Sequence, residues 1–166
     1  MNEAPAKLTA DMKRVVAEQR LAFVATVCPD GTPNLSPKGT IAVWDDDHLV
    51  FADIRSPGTI SNIKKNPSVE INVVDPFSRK GYRFKGIAEV VVAGELFQEI
   101  MSFYRGRWVD TARSTTGPKI LRFVLVKVET ALPLISPAYD NALADEQSIR
   151  KHWISYFAKL SESAPR

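Results

Sequence analysis

Between Ala22 and Ala93 the chain is a succession of short apolar runs broken by turn residues, and this pattern limits the fold more than any single motif. Residues 22–27 form an apolar, β-branched run that stops at Pro29-Asp30-Gly31-Thr32, a tight-turn signal. Residues 33–38 continue extended. Pro33 and Pro37 have no N–H to give to a ladder, so this strand is irregular or lies at an edge. Strands are expected over 40–44 and 49–53, on either side of the polar turn Asp45-Asp46-Asp47-His48, and over 69–74, where Val69, Ile71 and Val73 share a face. Residues 82–93 read as a long strand with Gly86 as a bulge. Residues 120–132 alternate, with Leu121, Phe123 and Leu125 in one set and Val124, Val126 and Val128 in the other.

Helical spacing is found in four places. Residues 9–19 carry Leu8, Met12, Val15 and Val16 on one face, with Thr9 as the cap. A short helix follows Ser56, its N-cap, with Pro57 in the first helical position, and stops at Asn66-Pro67. Residues 95–107 are amphipathic through Leu96, Phe97, Ile100, Met101 and Tyr104. Residues 145–160 form a terminal helix with Trp153, Tyr156 and Phe157 in an aromatic stripe. Six or seven strands in hairpin-like order imply an antiparallel sheet, and closure into a barrel removes its exposed edges. One domain is expected over 1–166, with the barrel in 8–133 and a C-terminal extension in 134–166. A glycine-rich βαβ unit is missing, which excludes a Rossmann fold.

Several function classes fall away. Cys28 is the single cysteine, so neither an internal disulfide nor a cysteine-built metal site is possible. His48 and His152 are far apart and lack partners at ligand spacing, so no metal is expected. The net charge of +3 is spread along the chain, unlike the concentrated basic face of a nucleic-acid binder. No apolar run approaches a membrane span and no leader pattern is visible, so the expected compartment is the cytoplasm. No Gly-x-Ser-x-Gly elbow and no dedicated general base are present. That suits a protein whose cofactor carries the reaction.

The stretch from Asp53 to Thr59 holds the most chemistry. A helix N-terminus leaves N–H groups unpaired and carries partial positive charge. Here it comes with two hydroxyls (Ser56 and Thr59), the charge of Arg55, and Gly58, where a ligand can approach the backbone. Together these residues suit a phosphomonoester. On spacing alone an ordinary capped helix, with Ser56 as cap, Thr59 on the surface and Arg55 solvated, is the favoured reading.

The order of elements over residues 8–92 resembles the flavin-nucleotide-binding proteins related to pyridoxamine 5′-phosphate oxidase. The resemblance is carried by Phe23-Val24-Ala25-Thr26-Val27, the Pro-Asp-Gly-Thr-Pro turn, Leu35-Ser36-Pro37-Lys38-Gly39, Trp44-Asp45-Asp46, Leu49-Val50-Phe51, and the capped helix ending Lys64-Lys65-Asn66-Pro67. It implies a mainly β fold with flanking helices: a six-stranded antiparallel Greek-key split β-barrel that forms a homodimer with FMN at the subunit interface. Ser36 and Lys38 would then face the flavin or its ribityl phosphate chain. Arg55, Ser56 and Thr59 would bind the phosphate, with Asn62 one turn further on. Arg83 either reaches the partner's flavin or forms a cross-strand salt bridge. Trp108 is an expected aromatic lid, and Trp153 a packing residue.

One departure stands out. The oxidase carries Ser-Arg-Lys at the start of this helix, and its Arg and Lys fall on Gly58 and Thr59 here. Lys38 and Arg55 are the neighbouring cations that could compensate. A literal Ser78-Arg79-Lys80 occurs later, in a hairpin loop, and is a decoy. The implied function is FMN-dependent oxidoreduction of a small molecule, with hydride transfer at the flavin. The alternatives are a non-catalytic flavin or haem binder or sensor, and a deazaflavin-dependent reductase on the same barrel.

Overall fold

The computed structural model describes residues 8–108, 120–141 and 145–163. In chain order the elements are α1 (Ala10–Gln19), β1 (Ala22–Val27), β2 (Pro33–Lys38), β3 (Ala42–Val43), β4 (His48–Asp53), α2 (Pro57–Lys65), β5 (Ser68–Asp75), β6 (Lys80–Val91), α3 (Glu95–Trp108), β7 (Arg122–Ile135), a 3-10 turn (Pro137–Asp140) and α4 (Glu146–Ser163).

The seven described strands form one antiparallel sheet in the order β2-β1-β5-β6-β7-β4-β3. Its two edge strands, β2 and β3, are consecutive in the chain and separated only by residues 39–41. A link that short spans at most about 15 Å. The sheet must therefore curl until its outer strands nearly meet, and no pairing between them closes it. The result is a curled, incompletely closed barrel. The expected count of six strands is corrected to seven. The chain leaves one edge of the sheet as β2, breaks at Gly39 and rejoins the opposite edge as β3. Pro33 and Pro37 do sit on an edge strand, where a missing N–H costs no ladder bond.

Period-two patterning divides the apolar residues between two cores. Val24, Leu49, Phe51, Ile71, Phe84, Val124 and Val126 face the inside of the curl, where Ile60 and Ile63 of α2 and Val15 and Val16 of α1 pack onto them. Val50, Ala52 and Phe123 point the other way, under Ile100 and Tyr104 of α3. The Tyr104 hydroxyl reaches through to the Val50 carbonyl, 3.1 Å away. Strand β4, next to the β3 edge, is thus buried on both faces.

At α1, the Thr9 hydroxyl accepts the Met12 N–H at 3.2 Å, as its capping position requires. Between β6 and β7 the register shifts at Lys85/Gly86, the expected bulge. A side chain at Gly86 would put its Cβ 2.1 Å from the Lys127 carbonyl oxygen, so the bulge needs glycine. The helix α4 docks on the β5–β6 hairpin. Arg150 pairs with Asp75, Lys80 with Glu146 at 2.9 Å, and the Arg79 guanidinium stacks 3.5 Å from the centre of the Trp153 ring. Among the described residues no helix is long and apolar enough to cross a membrane.

Candidate functional site

The inward set of β4 is Leu49, Phe51 and Asp53, so the strand ends by pointing a carboxylate into the core side of the sheet. Asp53 is 2% exposed. A buried carboxylate needs partners, and each of its oxygens has one. Oδ1 accepts the Ser56 N–H at 3.0 Å and the Ser56 hydroxyl at 2.9 Å. Oδ2 lies 3.0 Å from Nε of Arg122, its cross-strand partner at the start of β7. Asp53 therefore ties together the end of β4, the start of α2 and the start of β7.

Lys38 enters the same region from the end of β2. It is 5% exposed, lies 5.8 Å above the Phe51 ring, and donates to the Ser36 hydroxyl. Burial pushes its pKa below the ordinary lysine value, and the Asp53 charge partly opposes that. An ammonium has three protons to donate. Here one neutral hydroxyl is its single hydrogen-bond partner among the described residues.

Ser56 occupies the N-cap position of α2, but its hydroxyl does not cap the helix; it turns back to Asp53. The first-turn N–H groups of Gly58 and Thr59 have no intrahelical acceptor, as at any helix start. Thr59, in the first turn, is 2% exposed. The space above Gly58 is open: a Cβ built there meets nothing within 4 Å. Arg55 is exposed beside this opening.

These groups fit an anionic phosphomonoester. A buried ammonium with one neutral hydroxyl as its partner and free helix N–H groups supply donors, and the access over Gly58 is unobstructed.

The structure thus joins Ser36 to Lys38, puts Lys38 within reach of the Asp53 charge, and ties Asp53 to Ser56 at the start of α2, where Thr59 lies in the first turn and Arg55 is exposed just before it. Asn62 lies one turn along α2, but its amide is committed inward. It donates to the Thr26 hydroxyl at 3.0 Å and lies 3.5 Å from the Cys28 sulfur. Arg83 is on the opposite, outer face of the sheet, with Nε 3.7 Å from Glu70, a cross-strand neighbour. The side chain of Trp108 lies outside the described residues. Sequence reasoning missed Asp53 and Arg122 as site residues. It also left His48 without partners, whereas the tight turn closes Asp45 and Asp47 on its ring, at 2.9 and 2.7 Å from Nδ1. Asp45 accepts the N–H groups of Asp47 and His48 as well, the pattern of a polar turn.

Residues 8–132 match the pyridoxamine 5′-phosphate oxidase family profile. The chain belongs to that family. The chain is similar to the Group A Streptococcus protein HupZ, at 33% identity, with a TM-score of 0.65 over 77% of this chain and 94% of HupZ. The uncharacterised protein MJ0282 of Methanocaldococcus jannaschii is 33% identical over 91 residues, 54% of this chain and 60% of MJ0282. A pyridoxamine 5′-phosphate oxidase-like protein of Lactobacillus delbrueckii shares the fold at 24% identity, with a TM-score of 0.62 over 76% of this chain and 93% of that one. At 15–22% identity and TM-scores of 0.56–0.57, the fold extends to an F420 reductase, an FMN-binding protein of Syntrophomonas wolfei and the haem storage protein HutZ of Vibrio cholerae.

Proposed function

We propose that the chain binds FMN with the phosphate at the start of α2, and that it works as a homodimeric oxidoreductase on a small molecule. The observation that carries the reading is the buried Lys38 ammonium, bonded to one neutral hydroxyl, near a helix start whose first-turn N–H groups have no intrahelical acceptor. Burying a charge without full hydrogen bonding is costly, and an anionic ligand supplies the missing acceptors. FMN, when bound, supplies hydride transfer at its ring. The chain's own residues do the rest. Lys38, Thr59 and the α2 N–H groups bind and orient the anion. Asp53 holds the helix start and Ser56 in place.

The homodimer rests on the outer face of the sheet. Phe23, Asn72, Arg83 and Leu132 lie in one cross-strand row over β1, β5, β6 and β7. Phe23 and Leu132 are exposed. Between them, Asn72 Oδ1 and Arg83 Nε are shielded from solvent yet have no hydrogen-bond partner among the described residues. Arg83 Nε has only its 3.7 Å ion pair with Glu70. An apolar rim around under-bonded polar atoms suits a second copy that buries the first and satisfies the second.

Gly58 and Thr59 stand where the oxidase carries Arg and Lys, and this favours a second reading: a carrier that holds its cofactor without turnover. Relatives on this fold named for F420 and for haem make the cofactor itself the first question. The absorption spectrum of freshly purified protein, with the released chromophore identified by mass, answers it. FMN release supports the proposal, and reduction of the loaded protein by NADH or NADPH separates enzyme from carrier. A colourless protein that also fails to take up added FMN removes the flavin reading.

A further inference from the structure

We infer that Arg122 is a phosphate-binding residue of this site, supplying the charge that the start of α2 lacks. The inference rests on the phosphate reading of that helix start, and it concerns a residue outside the junction that carries the resemblance.

Arg122 has the same strand parity as Val124, Val126 and Val128, so it shares the inner face with Phe51 and Asp53. Its Nε lies against Asp53 Oδ2 at 3.0 Å, and the other oxygen of that carboxylate holds Ser56 at the N-cap of α2. One carboxylate therefore fixes both the guanidinium and the helix start. A guanidinium has five N–H donors in a planar fork. Asp53 is the single ion-pair partner of Arg122 among the described residues, and the Arg122 side chain keeps 28% of its surface open to solvent. The outer edge of the fork is thus available to a ligand, in the geometry that suits a phosphate.

Charge balance points the same way. A phosphomonoester carries about −1.5 to −2 at neutral pH. Lys38 and Asp53 cancel each other, which would leave the exposed Arg55 as the one uncompensated cation. With Arg122 the cluster reaches a net +2, the match for a phosphate dianion. The oxidase obtains these charges from its helix start. This chain, with Gly58 and Thr59 there, obtains one of them from β7.

The test is a set of titrations with FMN, with riboflavin, which lacks the phosphate, and with phenyl phosphate, which lacks the flavin. Arg122→Ala should weaken FMN about ten- to hundredfold, the worth of one or two charge-assisted hydrogen bonds, and leave riboflavin unchanged. The dependence of FMN affinity on salt should become shallower. If Arg122→Ala unfolds the protein, Asp53→Asn/Arg122→Gln is compared with Asp53→Asn alone, since neither strands a buried carboxylate; weaker FMN binding by the double variant is expected. If FMN binds wild type and the Arg122 variants equally, Arg122 merely neutralises Asp53 and the inference is overturned, while the flavin reading stands. If wild type binds neither flavin but binds phenyl phosphate through Arg122, the flavin reading falls and the inference stands. If wild type binds none of the three, both fall.

Discussion

Asp53 and Arg122 face each other across β4 and β7, Oδ2 to Nε at 3.0 Å, and the carboxylate is almost wholly buried. The pair joins two strand ends to the start of a helix, because the same carboxylate also takes two hydrogen bonds from Ser56. Removing the carboxylate strands the Lys38 ammonium and frees the helix start. Asp53→Ala is expected to cost about 2–4 kcal/mol, less than a fully buried pair because Arg122 is partly solvated. Asp53→Asn, which keeps an acceptor for Ser56, should cost less than half of that. Urea unfolding of the three proteins measures both values. Equal stability of Asp53→Ala and wild type would show that the carboxylate organises nothing.

Restoring the oxidase's arginine is the complementary experiment. The space above Gly58 is empty, so Gly58→Arg introduces no clash. Replacing a helical glycine gains up to about 1 kcal/mol, and a cation near a helix N-terminus loses about 0.3–1 kcal/mol, so apo stability should hardly change. FMN affinity should rise about tenfold, with riboflavin affinity constant, if the phosphate lies at this helix start. A variant whose FMN and riboflavin affinities move together would place the phosphate elsewhere.

The depressed pKa of Lys38 sets opposite pH trends for binding and for stability. Burial lowers it below 10.5, against a smaller opposing effect of Asp53. As pH rises through that lowered value the folded protein loses the ammonium, so FMN affinity should fall below pH 10.5. In the same window the unfolded chain still holds its proton, so the stability of the apoprotein should rise with pH. Lys38→Arg keeps its charge and should flatten both trends. Parallel titrations of FMN affinity and unfolding free energy from pH 7 to 10.5 give the result; trends that persist in Lys38→Arg would belong to another group.

Much of this was legible from period-two patterning. Val69, Ile71 and Val73 on β5, and Val124, Val126 and Val128 on β7, do line the interior. The bulge at Gly86 and the cap at Thr9 follow from local chemistry alone. The site was half legible. The same patterning carries Leu49 and Phe51 on to Asp53, and Val126 and Val124 back to Arg122, and so puts a carboxylate and a guanidinium on the core face. What it does not give is that β4 and β7 are neighbours, since 68 residues of sequence separate the two in a pair fixed only by sheet order. Ser56 misled for a local reason. Its hydroxyl competes between the helix and a nearby carboxylate, and the buried, acceptor-rich Asp53 wins.

The outer face of the sheet yields the last expectation. Phe23 and Leu132 flank Asn72 and Arg83, whose buried Oδ1 and Nε have no hydrogen-bond partner among the described residues. Arg83 Nε has only its 3.7 Å ion pair with Glu70, and an unbonded buried atom such as Asn72 Oδ1 costs about 1–3 kcal/mol, so a monomer with this surface would be poorly satisfied. A second copy packed on the row removes water from the two apolar groups and offers partners to the two polar ones. Phe23→Glu combined with Leu132→Glu places like charges across that row and should convert a dimer into a monomer. Neither residue is in either core, so the monomer should keep its fold. Light scattering coupled to size-exclusion chromatography reads the mass, and circular dichroism the fold. A double variant that stays dimeric would move the interface off this face, and a wild type that elutes as a monomer would remove it.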